Sequence, residues 1–237
     1  MGHGILITGT DTGAGKTVVA CLLGKRLLGA GVAAVPLKPV ESGCAPGTDG
    51  KPFPADAAAL RDAFAPGLPL SSVCLYALSG VLSPHLAARE EGVSIDLVRI
   101  GKAISGAVEA ADVVLIEGAG GVTVELREGY SFAALARDHS LPVLIVAGNR
   151  LGVLNHLQLT IRFLQSEGIP LFGVILNDTT PDVFPAREPN VTEVRRIVGS
   201  HYLGRVPYGA IALREDLFSC FCGRLQEYYS LQASCPH

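Results

Sequence analysis

Nine residues near the N-terminus, Gly9-Thr10-Asp11-Thr12-Gly13-Ala14-Gly15-Lys16-Thr17, combine glycine, lysine and hydroxyl groups in a spacing suited to holding phosphate. A β-prone run, Gly4 to Thr8, precedes them, and a helical stripe of Val19, Leu23 and Leu27 follows. The glycines let backbone N–H groups, here those from Gly13 through Val18, close around phosphate oxygens. The helix that starts there adds the positive end of its dipole. In such a P-loop, Lys16 reaches the β and γ phosphates of a nucleoside triphosphate and the Thr17 hydroxyl ligates the accompanying Mg2+. The common form has glycine six residues before the lysine. That position is Thr10 here and the nearest glycine is Gly9, so the loop is one residue longer. A plain helix cap can also carry Gly-Lys-Thr, but the strand before it and the helix after it favour the phosphate cradle.

Other charged groups fall at matching places. The run Val113-Val114-Leu115-Ile116-Glu117 ends a strand in an acid, and Gly118-Ala119-Gly120-Gly121 follows directly. Ligands of open α/β folds bind at the carboxyl ends of the strands, and glycines allow close backbone approach. Glu117 is therefore expected to share the metal with Thr17. Lys38 closes the run Ala33 to Lys38 just before Pro39, which cannot extend a hydrogen-bonded ladder and turns the chain out at the same edge. Asp56 opens a helical run, Ala57 to Phe64, where an acid suits the helix dipole whatever its function.

The elements that must position these groups alternate. Short runs at Gly4 to Thr8, Ala33 to Lys38, Asp112 to Glu117, Pro142 to Val146 and Leu171 to Asn177 are each followed by a loop and a helical pattern. This predicts an α/β fold, a mostly parallel sheet covered by helices on both faces. Leu154, Leu157, Ile161 and Leu164 form a second helical stripe, stopped by Gly168 and Pro170. Glu41 to Pro54 and Thr179 to Pro189 read as long loops. We take residues 1–237 as one domain and assign no pattern to the last ~25 residues. A charge of −3 gives no reason to expect nucleic acid or an anionic membrane as partner. No apolar run reaches the roughly 18 residues of a membrane span, so a cytoplasmic enzyme of small substrates is expected. The six cysteines lack paired CxxC spacing, which speaks against structural zinc or a disulfide framework, and Cys220 and Cys222, which could in principle chelate a metal, read as incidental.

At this point the chain resembles the dethiobiotin synthetase family over residues 4 to 208. The resemblance is carried by Thr8-Gly9-Thr10-Asp11-Thr12 with Gly15-Lys16-Thr17, Lys38-Pro39-Val40 with Ser42-Gly43, Ser83-Pro84-His85, Glu117-Gly118-Ala119-Gly120-Gly121, Leu151-Gly152 with Asn155-His156, Asn177-Asp178, and Val206-Pro207. It implies Lys16 as phosphate ligand and Thr17, Asp56 and Glu117 as magnesium ligands, with Gly118, Ala119 and Gly120 beside the nucleotide. It implies Lys38 as the lysine beside the reacting carbamate, with Thr12 acting alongside Lys16 and Lys38. Thr12, Ser42 and the helix start Leu151, Gly152, Val153, Leu154 and Asn155 become substrate contacts. Asn177 becomes the adenine-reading residue, with Asp178, Val206, Pro207 and Tyr208 around the nucleoside.

The resemblance also implies a reaction. An amine of 7,8-diaminononanoate captures CO2 as a carbamate, ATP phosphorylates it, and the second amine closes the ring in a homodimeric ligase of biotin biosynthesis. Two departures stand out: Gly13 replaces a loop glutamate of some members, and Pro54-Ala55-Asp56 replaces a more polar approach to the metal aspartate. Two other readings remain open. A cobyrinate-type amidoligase needs a glutamine-hydrolysing domain for which there is no room. A partition-type switch ATPase carries a signature lysine where this chain has Asp11.

Overall fold

The computed structural model describes residues 2–229. Its main sheet has six strands: β1 (His3–Gly9), β2 (Ala34–Leu37), β3 (Val113–Gly121), β4 (Val143–Gly148), β5 (Leu171–Asn177) and β6 (Tyr202–Val206). They lie side by side in the order β6-β5-β4-β1-β3-β2, and every neighbouring pair is parallel. The helices are α1 (Lys16–Gly29), α2 (Ala55–Phe64), α3 (Leu70–Val73), α4 (Pro84–Glu90), α5 (Leu97–Ala110), α6 (Phe132–Asp138), α7 (Val153–Ser166), α8 (Arg187–Val198) and α9 (Glu215–Tyr229). Among the described residues no helix is long and apolar enough to cross a membrane.

Successive strand residues point to opposite faces of the sheet, and here both faces are covered. Ile5, Ile7, Leu115, Val146 and Ile175 pack with Val19, Leu23 and Leu27 of α1, Leu60 and Phe64 of α2, and Phe218 and Phe221 of α9. Their neighbours in sequence, Leu6, Ile116, Ile145 and Leu176, pack on the other side with Ile100 and Ile104 of α5, Leu135 of α6, Leu157 and Leu164 of α7, and Val194 of α8. Burial on both faces is why these strands read as unbroken Val, Ile and Leu runs without polar alternation. The stripe on α1 is fully buried. On α7, Leu157 and Leu164 are buried, while Leu154 and Ile161 sit partly buried against the same core.

The chain leaves β1 for α1 on one face and leaves β3 for α6 on the other. The adjacent ends of β1 and β3 therefore bound the crevice in which an open α/β sheet binds its ligand.

Several elements differ from the sequence reading. β2 ends at Leu37, so Lys38 lies just beyond the strand, with its N–H donating to Val73 O at 2.8 Å. β3 runs on through the glycines to Gly121, because Gly121 still pairs with Gly9 of β1 after a bulge. The segment 41–54 is no featureless loop: Ala45–Pro46 and Pro52–Phe53 form a small antiparallel hairpin. α8 begins at Arg187, inside the segment read as loop to Pro189, since a proline in the first helical turn forfeits no intrahelical bond. The C-terminal region forms α9, whose aromatic face closes the core beside α1. Cys235 lies outside the described residues.

Candidate active site

Parallel strands bring their carboxyl ends to one edge, so Gly9, Lys38 and Glu117, distant in sequence, converge there. Gly15 caps α1 with φ 86°, a left-handed conformation that L side chains adopt at a cost. A Cβ on Gly15 would lie 2.1 Å from Asn177 Nδ2, so glycine is required there by space as well as by conformation. Gly13, at φ 74°, stands where a glutamate would be strained.

The charged residues form one connected cluster. Lys38 Nζ lies 2.6 Å from Glu117 Oε1 and 3.4 Å from Asp56 Oδ2. The Thr17 hydroxyl donates to the same Glu117 Oε1 at 2.9 Å. Glu117 is 1% exposed and Lys38 3%, whereas the Asp56 side chain is half exposed. Burial alone would lower the Lys38 pKa, but the carboxylates of Glu117 and Asp56 outweigh it and hold the ammonium above the usual lysine range. Lys16, also buried, goes the other way: desolvation lowers its pKa, helped by the charge of Lys38 and only partly opposed by Glu117.

Glu117 Oε2 is buried and has no hydrogen-bond partner among the described residues. An unpaired carboxylate oxygen in a buried site is costly. Beside Thr17 Oγ1 and within the cluster that includes Asp56, it is a hard oxygen donor of the kind magnesium prefers. The donor set therefore fits a magnesium site made by Thr17, Asp56 and Glu117.

A cavity of about 640 Å3 opens over this cluster. Of the residues singled out in the sequence, Thr12, Gly13, Gly15, Lys16, Thr17, Val18, Lys38, Ser42, Asp56, Glu117, Ala119 and Gly120 line it. Ala14 and Gly118 are buried behind its wall. Four features of the wall went unassigned in the sequence: Glu41, the exposed Val81 and Leu82, Ser83 with Pro84, and Val124. The Ser83-Pro84-His85 block was the available signal for part of it.

The nucleoside-end residues are placed differently. Asn177 is buried and donates through Nδ2 to Ala14 O at 2.9 Å, so it braces the phosphate loop from behind. The Asp178 carboxylate is already occupied, receiving bonds from Asn149, Arg187 and Arg205. Burial would raise its pKa, but these donors prevail and hold it below the usual carboxylate value. It is a structural anchor here, tying β5 to α8 and β6. Val206 is buried, while Pro207 and Tyr208 are exposed. Leu151, Gly152, Val153, Leu154 and Asn155 lie away from the cavity wall. Leu151 is 85% exposed, and the N–H groups of Val153 and Asn155 are spent on Arg150 O and Gly152 O within the turn. Only part of that helix start is open to an anion. Arg150 instead pairs with Asp11 of the phosphate loop.

Burial pushes the thiols of Cys21 and Cys44 up to about 11 and that of Cys74 to about 12. A nucleophilic cysteine needs the opposite shift.

The family model of an AAA domain matches residues 3–213. An ATP-dependent dethiobiotin synthetase BioD from Anaeromyxobacter dehalogenans (strain 2CP-C) is 39% identical over 206 residues, covering 87% of this chain and 90% of its own. The corresponding protein of Aromatoleum aromaticum is 42% identical over 86% of this chain and 90% of its own. The chain belongs to the dethiobiotin synthetase family. Another dethiobiotin synthetase, from Nitrosospira multiformis, extends the match to 92% of this chain at 37% identity, covering 94% of its own.

Solved structures show the fold. A ParA family ATPase from Chlorobium tepidum superposes with a TM-score of 0.52 at 16% identity, over 99% of this chain and 96% of its own. The cell division protein FtsY of Thermotoga maritima gives 0.53 at 16% identity, over 93% and 68%. Both likenesses concern the P-loop NTPase architecture alone. Membership in the dethiobiotin synthetase family makes the chain an ATP-dependent ligase, which sets aside the switch ATPase and the cobyrinate-type amidoligase.

Proposed function

We propose that the chain forms dethiobiotin from 7,8-diaminononanoate, CO2 and ATP at the cluster of Lys16, Thr17, Lys38, Asp56 and Glu117. The observation that carries this reading is the Lys38–Glu117–Thr17 chain beside the phosphate loop, with one buried Glu117 oxygen left for a metal. Phosphoryl transfer asks a protein for positioning and charge neutralisation more than for covalent help. Thr17, Asp56 and Glu117 would hold magnesium, which when bound supplies neutralising charge at the β and γ phosphates.

The protein's own residues account for the remaining demands. Thr12 and Ser42, both lining the cavity, hold the diamine. One amine adds to CO2 and loses a proton, giving the carbamate. Lys38 supports the negative charge on the carbamate oxygen, which attacks the γ phosphorus as ADP leaves. The second amine then attacks the carbonyl carbon, phosphate departs, and loss of its proton completes the ring. Holding both amines in one cavity converts ring closure into an intramolecular step, a large part of the rate. Incubation with 13C-bicarbonate tests this: label in the ureido carbon of dethiobiotin, dependent on diamine and MgATP, is the expected product. ATP turnover that yields no labelled ring would refute it.

Asn177 reads adenine in this account, using the amide donor and acceptor that its bond to Ala14 leaves over. ATP should serve much better than GTP, and Asn177→Ala should shrink that preference by about 1 to 3 kcal/mol. Equal turnover of the two nucleotides by the unmodified protein would remove Asn177 from this role.

The active unit is a homodimer in the cytoplasm. Support comes from the substrate contacts at 151–155, which lie off the cavity wall of one chain and so would serve a partner's site, and from exposed Val81 and Leu82 at the cavity rim. Sedimentation at micromolar concentration should show a dimer; a fully active monomer would contradict it. A charge of −3 favours neither nucleic acid nor membrane as partner.

A further inference from the structure

Glu41 is 6% exposed, yet it carries a carboxylate into a site that already holds Glu117 and Asp56. Desolvation raises its pKa, opposed by two backbone donors. Those donors identify its task. Oε1 accepts from the Asp56 N–H at 3.0 Å and Oε2 from the Ala57 N–H at 2.9 Å. Both N–H groups belong to the first turn of α2, where no intrahelical acceptor is available. A side chain at the cap position normally takes them. Here that position is Pro54, which has no side-chain acceptor and makes no cap bond. A carboxylate from a separate bridged segment, Val40–Glu41, supplies the cap and meets the positive end of the helix dipole.

The clamp falls on Asp56 itself. Among the described residues, Lys38 at 3.4 Å is the only ion-pair partner of the Asp56 side chain, which is otherwise half exposed. Nothing on that side chain fixes its direction firmly, whereas the bond to its N–H fixes the backbone from which it projects. Each Glu41 oxygen thus accepts one N–H from the first turn of α2.

We propose that Glu41 is a positioning residue that holds Asp56 toward the magnesium site by capping the helix that carries it. This rests on the reading of Asp56 as a magnesium-facing carboxylate. Residues that orient a metal ligand typically cost about tenfold or more in metal affinity when removed. The same clamp fixes the backbone of a Pro54-Ala55-Asp56 approach that lacks any polar cap of its own.

The test uses Mn2+ as probe, titrated into the full chain with ADP and followed by the loss of the free-ion electron paramagnetic resonance signal. Glu41→Ala should weaken Mn2+ binding about tenfold. Glu41→Gln, which keeps the volume and one acceptor, should fall between it and the unmodified protein and covers the case in which the alanine variant does not fold. Adding Glu41→Ala to Asp56→Asn should cost little beyond Asp56→Asn alone, because the two act through one carboxylate. Unchanged Mn2+ affinity in Glu41→Gln and Glu41→Ala, with thermal stability alone reduced, would overturn the proposal and leave Glu41 a plain helix cap. Unchanged affinity in Asp56→Asn would instead overturn the reading of Asp56 itself, and the proposal with it.

Discussion

Lys38→Gln will bind MgATP nearly as the unmodified protein does, yet form dethiobiotin about a hundredfold or more slowly. The expectation follows from where the ammonium sits. Lys38 emerges one residue past β2, on the Glu117 side of the cavity. Its salt bridge to Glu117 at 2.6 Å and to Asp56 at 3.4 Å holds it charged well above neutral pH. A fixed positive charge in a buried site stabilises charge that develops during phosphoryl transfer, and it needs no reorganisation when that charge appears.

Removing it also leaves Glu117 buried without its cation, which typically destabilises a protein by about 3 to 5 kcal/mol when unrelieved. Glutamine retains a hydrogen-bond donor for Glu117, and the metal offers Glu117 another partner, so thermal unfolding should be measured alongside. The decisive comparison sets the MgATP dissociation constant beside single-turnover product formation. Near-normal turnover would show that Lys38 is a structural ion-pair partner and nothing more.

Lys16→Gln should fail in the opposite sense, losing nucleotide affinity by about tenfold to a hundredfold. Lys16 is 8% exposed, and its ammonium is desolvated, so it gains a strongly attractive partner when phosphate enters. Hydrogen bonds to charged groups are worth about 1.5 to 3 kcal/mol, which sets the range. Calorimetric titration of ADP and ATP checks it, and the loss should be larger for ATP because the lysine reaches the γ phosphate. Equal losses of ATP binding in Lys16→Gln and Lys38→Gln would mean that the two lysines share one role and that the division between nucleotide and carbamate is wrong.

The phosphate loop, Glu117 and five of the six strands of the main sheet were legible in the sequence because each is a local pattern: a glycine-rich turn between strand and helix, or a short β-branched or Leu-rich run bounded by loops. β6 was not, because Tyr202–Val206 is a short edge strand that includes Gly204 and Arg205 and has no apolar run to announce it. α9 does carry apolar groups at helical spacing, Leu217, Phe218, Phe221, Cys222 and Leu225, but they are interleaved with Arg224, Gly223 and Cys220, which dilute the stripe.

In the site, Lys16, Thr17 and Glu117 follow from sequence position on a parallel sheet. The roles of Glu41 and Asn177 do not. Glu41 caps a helix that begins 14 residues later, on Ala55, and Asn177 braces Ala14 across the sheet edge. Both depend on contacts that only the folded chain brings together. Asp178 shows the same limit from the other side, since its position beside Asn177 gives no hint that Arg187 and Arg205 occupy its carboxylate.

Phosphate release from MgATP, followed with and without 7,8-diaminononanoate and bicarbonate, separates ring formation from idle ATP hydrolysis. Release should be slow with ATP alone, accelerate greatly only when both the diamine and bicarbonate are present, and yield one phosphate for each dethiobiotin formed. Release that proceeds at the same rate without the diamine, or that is stimulated by the diamine without forming the ring, would contradict it.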